Sequence, residues 1–178
     1  MEYVILGLLM LRSRTLYEIK KLLESKIALF YSASFGSISS AINNLLAKDW
    51  ISVHEHVENG RNKKMYTLTE HGRTAFEQWL RSGIPHEKVK EPALTRLFFM
   101  GYLPIAERIT LLEQHLASLH TIHATLTVLE QEADNAQIPA ELYDVVQFQQ
   151  LTLQYGKEYY AFSIAWFQRL LAELKSKK

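Results

Sequence analysis

The chain has 178 residues, 48% of them hydrophobic and 22% charged, with a formal net charge of +1; this is a globular composition, rich enough in apolar residues for a sizeable core and giving no case for disorder. Cysteine is absent, which excludes disulfides, thiolate nucleophiles and Cys-based zinc sites and fits a reducing cytoplasm. The longest apolar run, Tyr3 to Leu11, is far shorter than the ~20 residues a spanning helix needs, and Arg12 and Arg14 follow it instead of preceding it, so neither a membrane segment nor a secretory signal is expected.

Charge is unevenly spread. Residues 1–83 carry 11 Lys+Arg against 8 Asp+Glu, and residues 84–178 carry 9 against 11. A mildly basic front half permits a polyanionic partner there without requiring one.

In chain order, Val4, Ile5, Leu8 and Leu9 share one face and predict a first helix over Glu2 to Leu11. "SRT" breaks it. "TLYE", Thr15 to Glu18, is a capping box that opens a second helix with Leu16, Ile19, Leu22 and Leu23 inward. Ser34 is the expected N-cap of a third helix, whose Ile38, Ala41, Ile42, Leu45 and Leu46 form the inner stripe. Its outer face then carries Ser37, Ser40, Asn43 and Asn44, with Ser39 on the flank.

Ser and Asn are mediocre helix formers, because their side chains compete for backbone hydrogen bonds. A whole face of them suits a nucleic-acid groove: short donors and acceptors reach phosphate oxygens and base edges, and Asn can pair bidentately with adenine. Carboxylates there would repel the DNA backbone, and this helix has none on its outer face. Gly36, near the helix start, lets main-chain N–H groups come close to a phosphate. A merely solvated polar face is the plainer alternative.

The period then changes. "ISVHEHV" alternates, with Ile51, Val53 and Val57 opposite Ser52, His54 and His56, and "KMYTL", Lys64 to Leu68, is β-prone. Asn59-Gly60 between them is a strong hairpin signal, and Arg61, Lys63 and Lys64 stand at its tip. Thr69 caps a fourth helix with Phe76, Trp79 and Leu80 inward, ended by Gly83 and Pro85. Three helices, a hairpin and a helix make the winged helix-turn-helix plan, in which the third helix enters the major groove and the hairpin lies along the neighbouring backbone or minor groove. Ser34, Ser37, Ser39, Ser40, Asn43, Asn44, Arg61, Lys63 and Lys64 are the DNA-contact candidates of this reading.

The remainder is helical by pattern. "EPALTRLFFMGYLP" predicts a helix stopped at Gly101 and Pro104. Ile105, Leu112, Leu119 and Leu126 then recur every seven residues, with Ile109 and Leu116 in the companion register, a coiled-coil-like seam. "ADNAQIP" interrupts it, and Pro139 suits the start of a last helix from about Ala140 to Leu174, with Val145, Val146, Tyr159, Phe162, Trp166, Leu170 and Leu174 as its stripe. The expectation is that these seams are buried by a second copy, with Ile105, Ile109, Leu112, Leu116, Leu119, Leu126, Phe162, Trp166 and Leu170 at the dimer interface. A two-fold dimer also sets two recognition helices one DNA turn, about 34 Å, apart. A closed intramolecular helical hairpin is the rival arrangement.

The aromatic cluster that includes Tyr155, Tyr159 and Trp166 could line a pocket for a small planar effector, although dimer core is the favoured reading. His120 and His123 lack an obvious third ligand, so no metal site is expected; no cofactor is expected either. There is no G-x-S-x-G elbow, P-loop, H-E-x-x-H or dinucleotide fingerprint, and no enzyme is expected.

"LYEI" at Leu16 to Ile19, "GSI" at Gly36 to Ile38 and "YTLTEHGR" at Tyr66 to Arg73 together resemble the PadR family of bacterial transcriptional regulators over residues 1–83. The tail, in length and pattern, is similar to that of the long-tailed subclass shared with the virulence activator AphA. The resemblance implies a homodimeric winged-helix regulator, repressor or activator, that binds an inverted-repeat operator, and it associates Tyr17 on the second helix with DNA. This chain departs from the family by having Ser39-Ser40 where a Tyr-Pro or Tyr-Arg pair is usual, and Asn43 and Asn44 where basic residues are usual. Weaker non-specific affinity and a shallower salt dependence are therefore expected, or a different operator.

The expected fold is thus mainly α: a winged helix-turn-helix N-terminal domain, residues 1–83, and a long-helix C-terminal dimerisation domain, residues 84–178. The expected function is regulation of transcription, with repression the favoured sense. The alternative is a helical adaptor that keeps the winged fold for protein contacts.

Overall fold

A computed structural model of the chain describes residues 1–24, 34–58, 61–84 and 91–176. The chain divides into two compact units, Met1–Glu87 and Lys88–Lys178, each of which is taken by itself.

The first unit contains α1 (Glu2–Leu9), β1 (Arg14–Thr15), α2 (Leu16–Leu22), α3 (Phe35–Ala47), β2 (Ile51–Glu58), β3 (Arg61–Leu68) and α4 (Glu70–Arg81). The capping box expected at Thr15 is present: its hydroxyl accepts from the Glu18 N–H at 3.2 Å, and Glu18 Oε2 accepts from the Thr15 N–H at 2.8 Å. The core collects the inner stripes of the first three helices, Ile5, Leu6, Leu9, Ile19, Leu23, Ile38, Ala41, Ile42 and Leu45, and closes with Ile51 and Tyr66 from the sheet.

Two features of this unit go beyond the sequence pattern. The sheet has three strands in the order β1-β3-β2, because Arg14 and Thr15, which read as a helix break and the cap of the next helix, pair antiparallel with Tyr66 and Met65. The hairpin register runs from Ile51↔Leu68 to Glu58↔Arg61, which leaves the two residues 59 and 60 between the strands; they lie outside the described residues. Helix α3 ends in a Schellman arrangement: the Trp50 N–H donates to the Leu45 carbonyl at 3.0 Å, the Asp49 N–H donates to that of Leu46 at 3.1 Å, and Asp49 takes φ 55°.

The inward face of α4 differs from expectation at one position. Phe76 packs on the core and Trp79 stacks on Tyr3 with ring centroids 5.0 Å apart, but Leu80 is 61% exposed. The core ends at the Tyr3–Trp79 stack, and Leu80 lies one step around the helix beyond it. Gly83 follows the helix with φ +75°, the left-handed conformation expected of a glycine that ends a helix; Pro85 lies outside the described residues.

The second unit contains α5 (Pro92–Phe99) and one 3-10 turn (Met100–Tyr102), then α6 (Ile105–Asp134), a 3-10 turn (Ala140–Leu142) and α7 (Tyr143–Ser176). The pairs Glu130–Lys157, His120–Gln168 and Glu113–Lys175 step in opposite directions along the two long helices, so α6 and α7 form an antiparallel hairpin.

That hairpin covers, from within the chain, most of the seam expected at the dimer interface. Leu112, Leu116 and Leu119 are buried within one chain, in a cluster with Ile164 and Phe167 of α7 and with Trp166 and Leu170 packed against it. Ile109 and Leu126 are buried in the same chain as well, and Ile105 is half-buried. These residues do not wait for a second copy. The seven-residue period marks a seam correctly, but α7 folds back to cover it. Of the expected stripe of α7, Trp166, Leu170 and Leu174 pack against this cluster beside Tyr160, Ile164, Phe167 and Leu171, whereas Val145, Tyr159 and Phe162 are exposed, Phe162 by 64%.

Candidate nucleic-acid interface

Helix α3 is held at both ends by its own sequence. Ser34 and Ser37 cap it reciprocally: the Ser37 N–H donates to Ser34 Oγ at 3.2 Å and the Ser34 N–H donates to Ser37 Oγ at 3.0 Å. Ser37 fills the place where a capping box usually has Glu or Gln. The first turn therefore carries no acidic side chain, so the positive end of the helix dipole meets no negative charge from its own turn.

The outer face expected for α3 is divided by the structure. Its exposed ridge is Gly36, Ser40, Asn43 and Ala47, while Ser37 and Ser39 are half-buried on either flank. Asn44 is exposed but engaged: its amide donates to Glu2 Oε1 at 3.2 Å. Lys48, the C-cap, meets Glu2 Oε2 at 2.6 Å and stands 4.7 Å from the Trp50 ring centroid. The lysine hydrogen bond, ahead of the opposing effect of desolvation and the bond from Asn44, holds the Glu2 carboxyl below the usual glutamate range. A carboxylate therefore borders this face after all, brought from α1. Sequence reasoning missed it because the contact spans 42 residues and obeys no local spacing.

The other candidates are distributed as follows. Tyr17 is 73% exposed on α2. On the hairpin, Lys64 is exposed and pairs across the strands with Glu55 at 3.1 Å, a hydrogen bond that raises its pKa. Lys63 is half-buried. The side chain of Arg61 lies outside the described residues. Elsewhere in this unit Arg12 pairs with Glu18, Lys20 with Glu24, Arg73 with Glu70 and Arg81 with Glu77.

The expected effector residues Tyr155, Tyr159 and Trp166 lie on α7 in different surroundings. Tyr155 is exposed, Trp166 packs edge-on against Phe167 with centroids 5.0 Å apart, and Tyr159 donates its hydroxyl to Glu91 Oε2 at 2.7 Å. That bond, with burial second, pushes the Tyr159 phenol up to about 12. A cleft of about 240 Å³ on this unit is lined instead by Glu130, Asp134, Leu151 and several glutamines. Among the described residues, no group of three or more His, Asp or Glu is placed to hold a metal ion.

A three-helix unit that turns the uncharged ridge of its third helix outward beside an antiparallel wing is of the winged helix-turn-helix class. Residues 5–78 match the transcriptional regulator PadR-like family, and residues 89–175 match the virulence activator alpha C-terminal region. In sequence the chain is similar to the long-tailed PadR-like transcriptional regulators.

Among curated proteins, the negative transcriptional regulator PadR of Bacillus subtilis (strain 168) is 29% identical over 119 residues, a match that spans 65% of this chain and 65% of the relative's length. Crystal structures of Bacillus subtilis PadR share the fold. In its complex with operator DNA the TM-score is 0.82 at 23% identity, over 97% of this chain and 98% of that one. In its complex with p-coumaric acid the TM-score is 0.77 at 23% identity, over 98% and 94%. The Vibrio cholerae virulence activator AphA gives a TM-score of 0.76 at 22% identity, over 99% of each chain.

Proposed function

We propose that the protein binds operator DNA as a homodimer, with α3 in the major groove and the β2–β3 wing along the flanking backbone, and that it represses transcription. The observation that carries this reading is the exposed ridge Gly36, Ser40, Asn43 and Ala47. It is free of carboxylates, carries short donors and acceptors, and belongs to a helix whose cap also avoids negative charge. Tyr17, exposed on α2, supplies a backbone contact beside it. Ser34 and Ser37 serve mainly to cap the helix, Ser39 is half-buried on its flank, and Asn44 is bonded to Glu2. The negative regulator of Bacillus supports repression as the sense of control.

The dimer rests on α7. With its inner stripe covered by α6, the helix still shows Phe148, Leu151, Tyr155 and Phe162 to solvent. Phe148, Tyr155 and Phe162 recur every seven residues, on the side opposite Ile164 and Phe167. A helix apolar on two opposite sides needs a second layer, and a symmetric copy of the same stripe provides one. The p-coumaric acid held by the Bacillus protein supports a small aromatic effector for this chain too. The protein acts in the cytoplasm without a reaction of its own; no helix among the described residues is long and apolar enough to cross a membrane.

Selection of bound duplexes from a random DNA pool tests the whole reading. The expected product is a two-fold symmetric site with half-sites about one helical turn apart. Recovery of no preferred sequence would favour the adaptor reading.

A further inference from the structure

Among the described residues of the winged unit, two lysine–glutamate pairs stand apart from those that dress a single helix. Lys20–Glu24, Arg73–Glu70 and Arg81–Glu77 join residues three or four apart on one helix, the ordinary dressing of a solvated surface. Glu2–Lys48 and Glu55–Lys64 join separate elements, and both sit at the edges of the surface proposed to meet DNA. Glu2 accepts from an amide, Asn44, through one oxygen and from an ammonium, Lys48, through the other. An amide and an ammonium are also what a protein offers to a DNA phosphate. Glu55 holds Lys64 in the same way on the wing. Both bonds leave their mark on titration: the lysine lowers the Glu2 carboxyl, and the glutamate raises the Lys64 ammonium.

We propose that Glu2 and Glu55 are specificity-determining residues: each carboxylate takes, on its neighbouring lysine, the place of a DNA phosphate, and so withholds Lys48 and Lys64 from sequence-independent binding. The proposal rests on the DNA-binding reading above. Non-specific affinity comes almost entirely from lysine and arginine neutralising phosphates with release of counterions. A lysine that must leave a carboxylate gains little from a phosphate, and the carboxylate left behind repels the same phosphate. Direct contacts from Ser40 and Asn43 carry no such opposing charge. The pairs therefore suppress binding to random sequence more than binding to the operator, and they widen the ratio between the two.

The test uses the full-length protein and its Glu2→Gln and Glu55→Gln variants, titrated against a random-sequence duplex and against the selected operator over a range of salt. Each variant should bind the random duplex roughly threefold to tenfold more tightly at low salt. The slope of log K against log salt should steepen by about one unit per protomer, and the operator-to-random ratio should fall. Adding Lys48→Gln to Glu2→Gln, or Lys64→Gln to Glu55→Gln, should cancel the gain. Each carboxylate is judged by its own cycle, and far-UV CD checks that each variant is folded. Glu55→Gln, on an exposed strand pair, keeps the idea testable if Glu2→Gln disturbs α1. Unchanged random-duplex affinity and slope in folded variants, with normal operator binding by the parent, overturns the proposal. A parent with no sequence preference overturns the DNA reading instead.

Discussion

The carbonyl oxygen of Trp50 stands 2.0 Å from the point that a Cβ on Gly72 would occupy. The first turn of α4 rests directly on the backbone that ends α3. Thr69 donates its N–H to Trp50 O at 3.1 Å and its hydroxyl to Asp49 O at 2.7 Å, then caps α4 through Gly72 N–H at 3.1 Å. The contact fixes α4 against the end of α3, and only a residue without a side chain fits.

Gly72→Ala should accordingly destabilise the winged unit by roughly 2–4 kcal/mol, because the clash is with backbone and cannot be relieved by a rotamer change. Urea unfolding followed by tryptophan fluorescence in a Trp166→Phe background, which leaves Trp50 and Trp79 as the reporters, would show an earlier transition. Far-UV CD should keep most of its helical signal at that point, since α6 and α7 belong to the other unit. An unmoved midpoint would mean that α4 slides away at no cost.

The same unit should lose stability in acid. Glu18 is held below the usual glutamate range first by the Thr15 N–H, then by the Thr15 hydroxyl and Arg12 against the opposing effect of burial; Glu2 is held low by Lys48 and Asn44. The unfolded chain keeps ordinary glutamate values, so the unfolded state binds protons first. The contribution is complete above the ordinary glutamate range and disappears as pH falls through the two lowered values. Urea midpoints measured from neutral pH downward should fall in that window, and Glu18→Gln should flatten the drop. Thr15→Ala should cost about 1 kcal/mol at neutral pH as a lost cap.

What the sequence made legible was local. The caps at Thr15, Ser34 and Thr69 and the Asn59-Gly60 hairpin signal each need only a few adjacent residues, and the ladder from Ile51 to Leu68 follows from them. Two-residue β1 was hidden because two residues hold no period. The seam of α6 was visible in its seven-residue repeat, but a repeat says that a helix is covered and not by what. In α7 two apolar stripes share one helix, so the pattern that holds Trp166, Leu170 and Leu174, which pack on the core, also draws in Val145 and Phe162, which are exposed, and passes over Ile164 and Phe167, which are buried. The Glu2–Asn44 contact, which removes one of the two central asparagines from the reading surface, left no trace in the sequence at all.

That contact separates Asn43 from Asn44. Asn43 belongs to the free ridge of α3, so Asn43→Ala should weaken operator binding by about 1–3 kcal/mol and relax preference at one base pair of each half-site. Asn44→Ala removes only a support for Glu2 and should change operator affinity by less, with no change in the selected sequence. Selection experiments on both variants, with matching far-UV CD spectra as the fold control, check the difference. Equal losses of base preference would show that Asn44 leaves Glu2 to read DNA.

Association and folding should likewise come apart in the tail. Phe148 and Phe162 lie on the exposed stripe of α7, 70% and 64% accessible in one chain, whereas Leu112 is 2% accessible within the α6–α7 hairpin. A charge on the outer stripe opposes a symmetric interface twice, once from each copy, while it costs the isolated hairpin nothing. Phe148→Glu combined with Phe162→Glu should therefore give a helical monomer in sedimentation velocity across a concentration series. By mass action that monomer should bind the full operator more weakly than the parent, with one half-site contact per molecule. Leu112→Ala removes core volume instead and should cost roughly 2–5 kcal/mol of stability, with the folded fraction still dimeric. A dimer that survives both glutamates but dissociates with Leu112→Ala would place the interface back on the inner seam and require α6 and α7 to part.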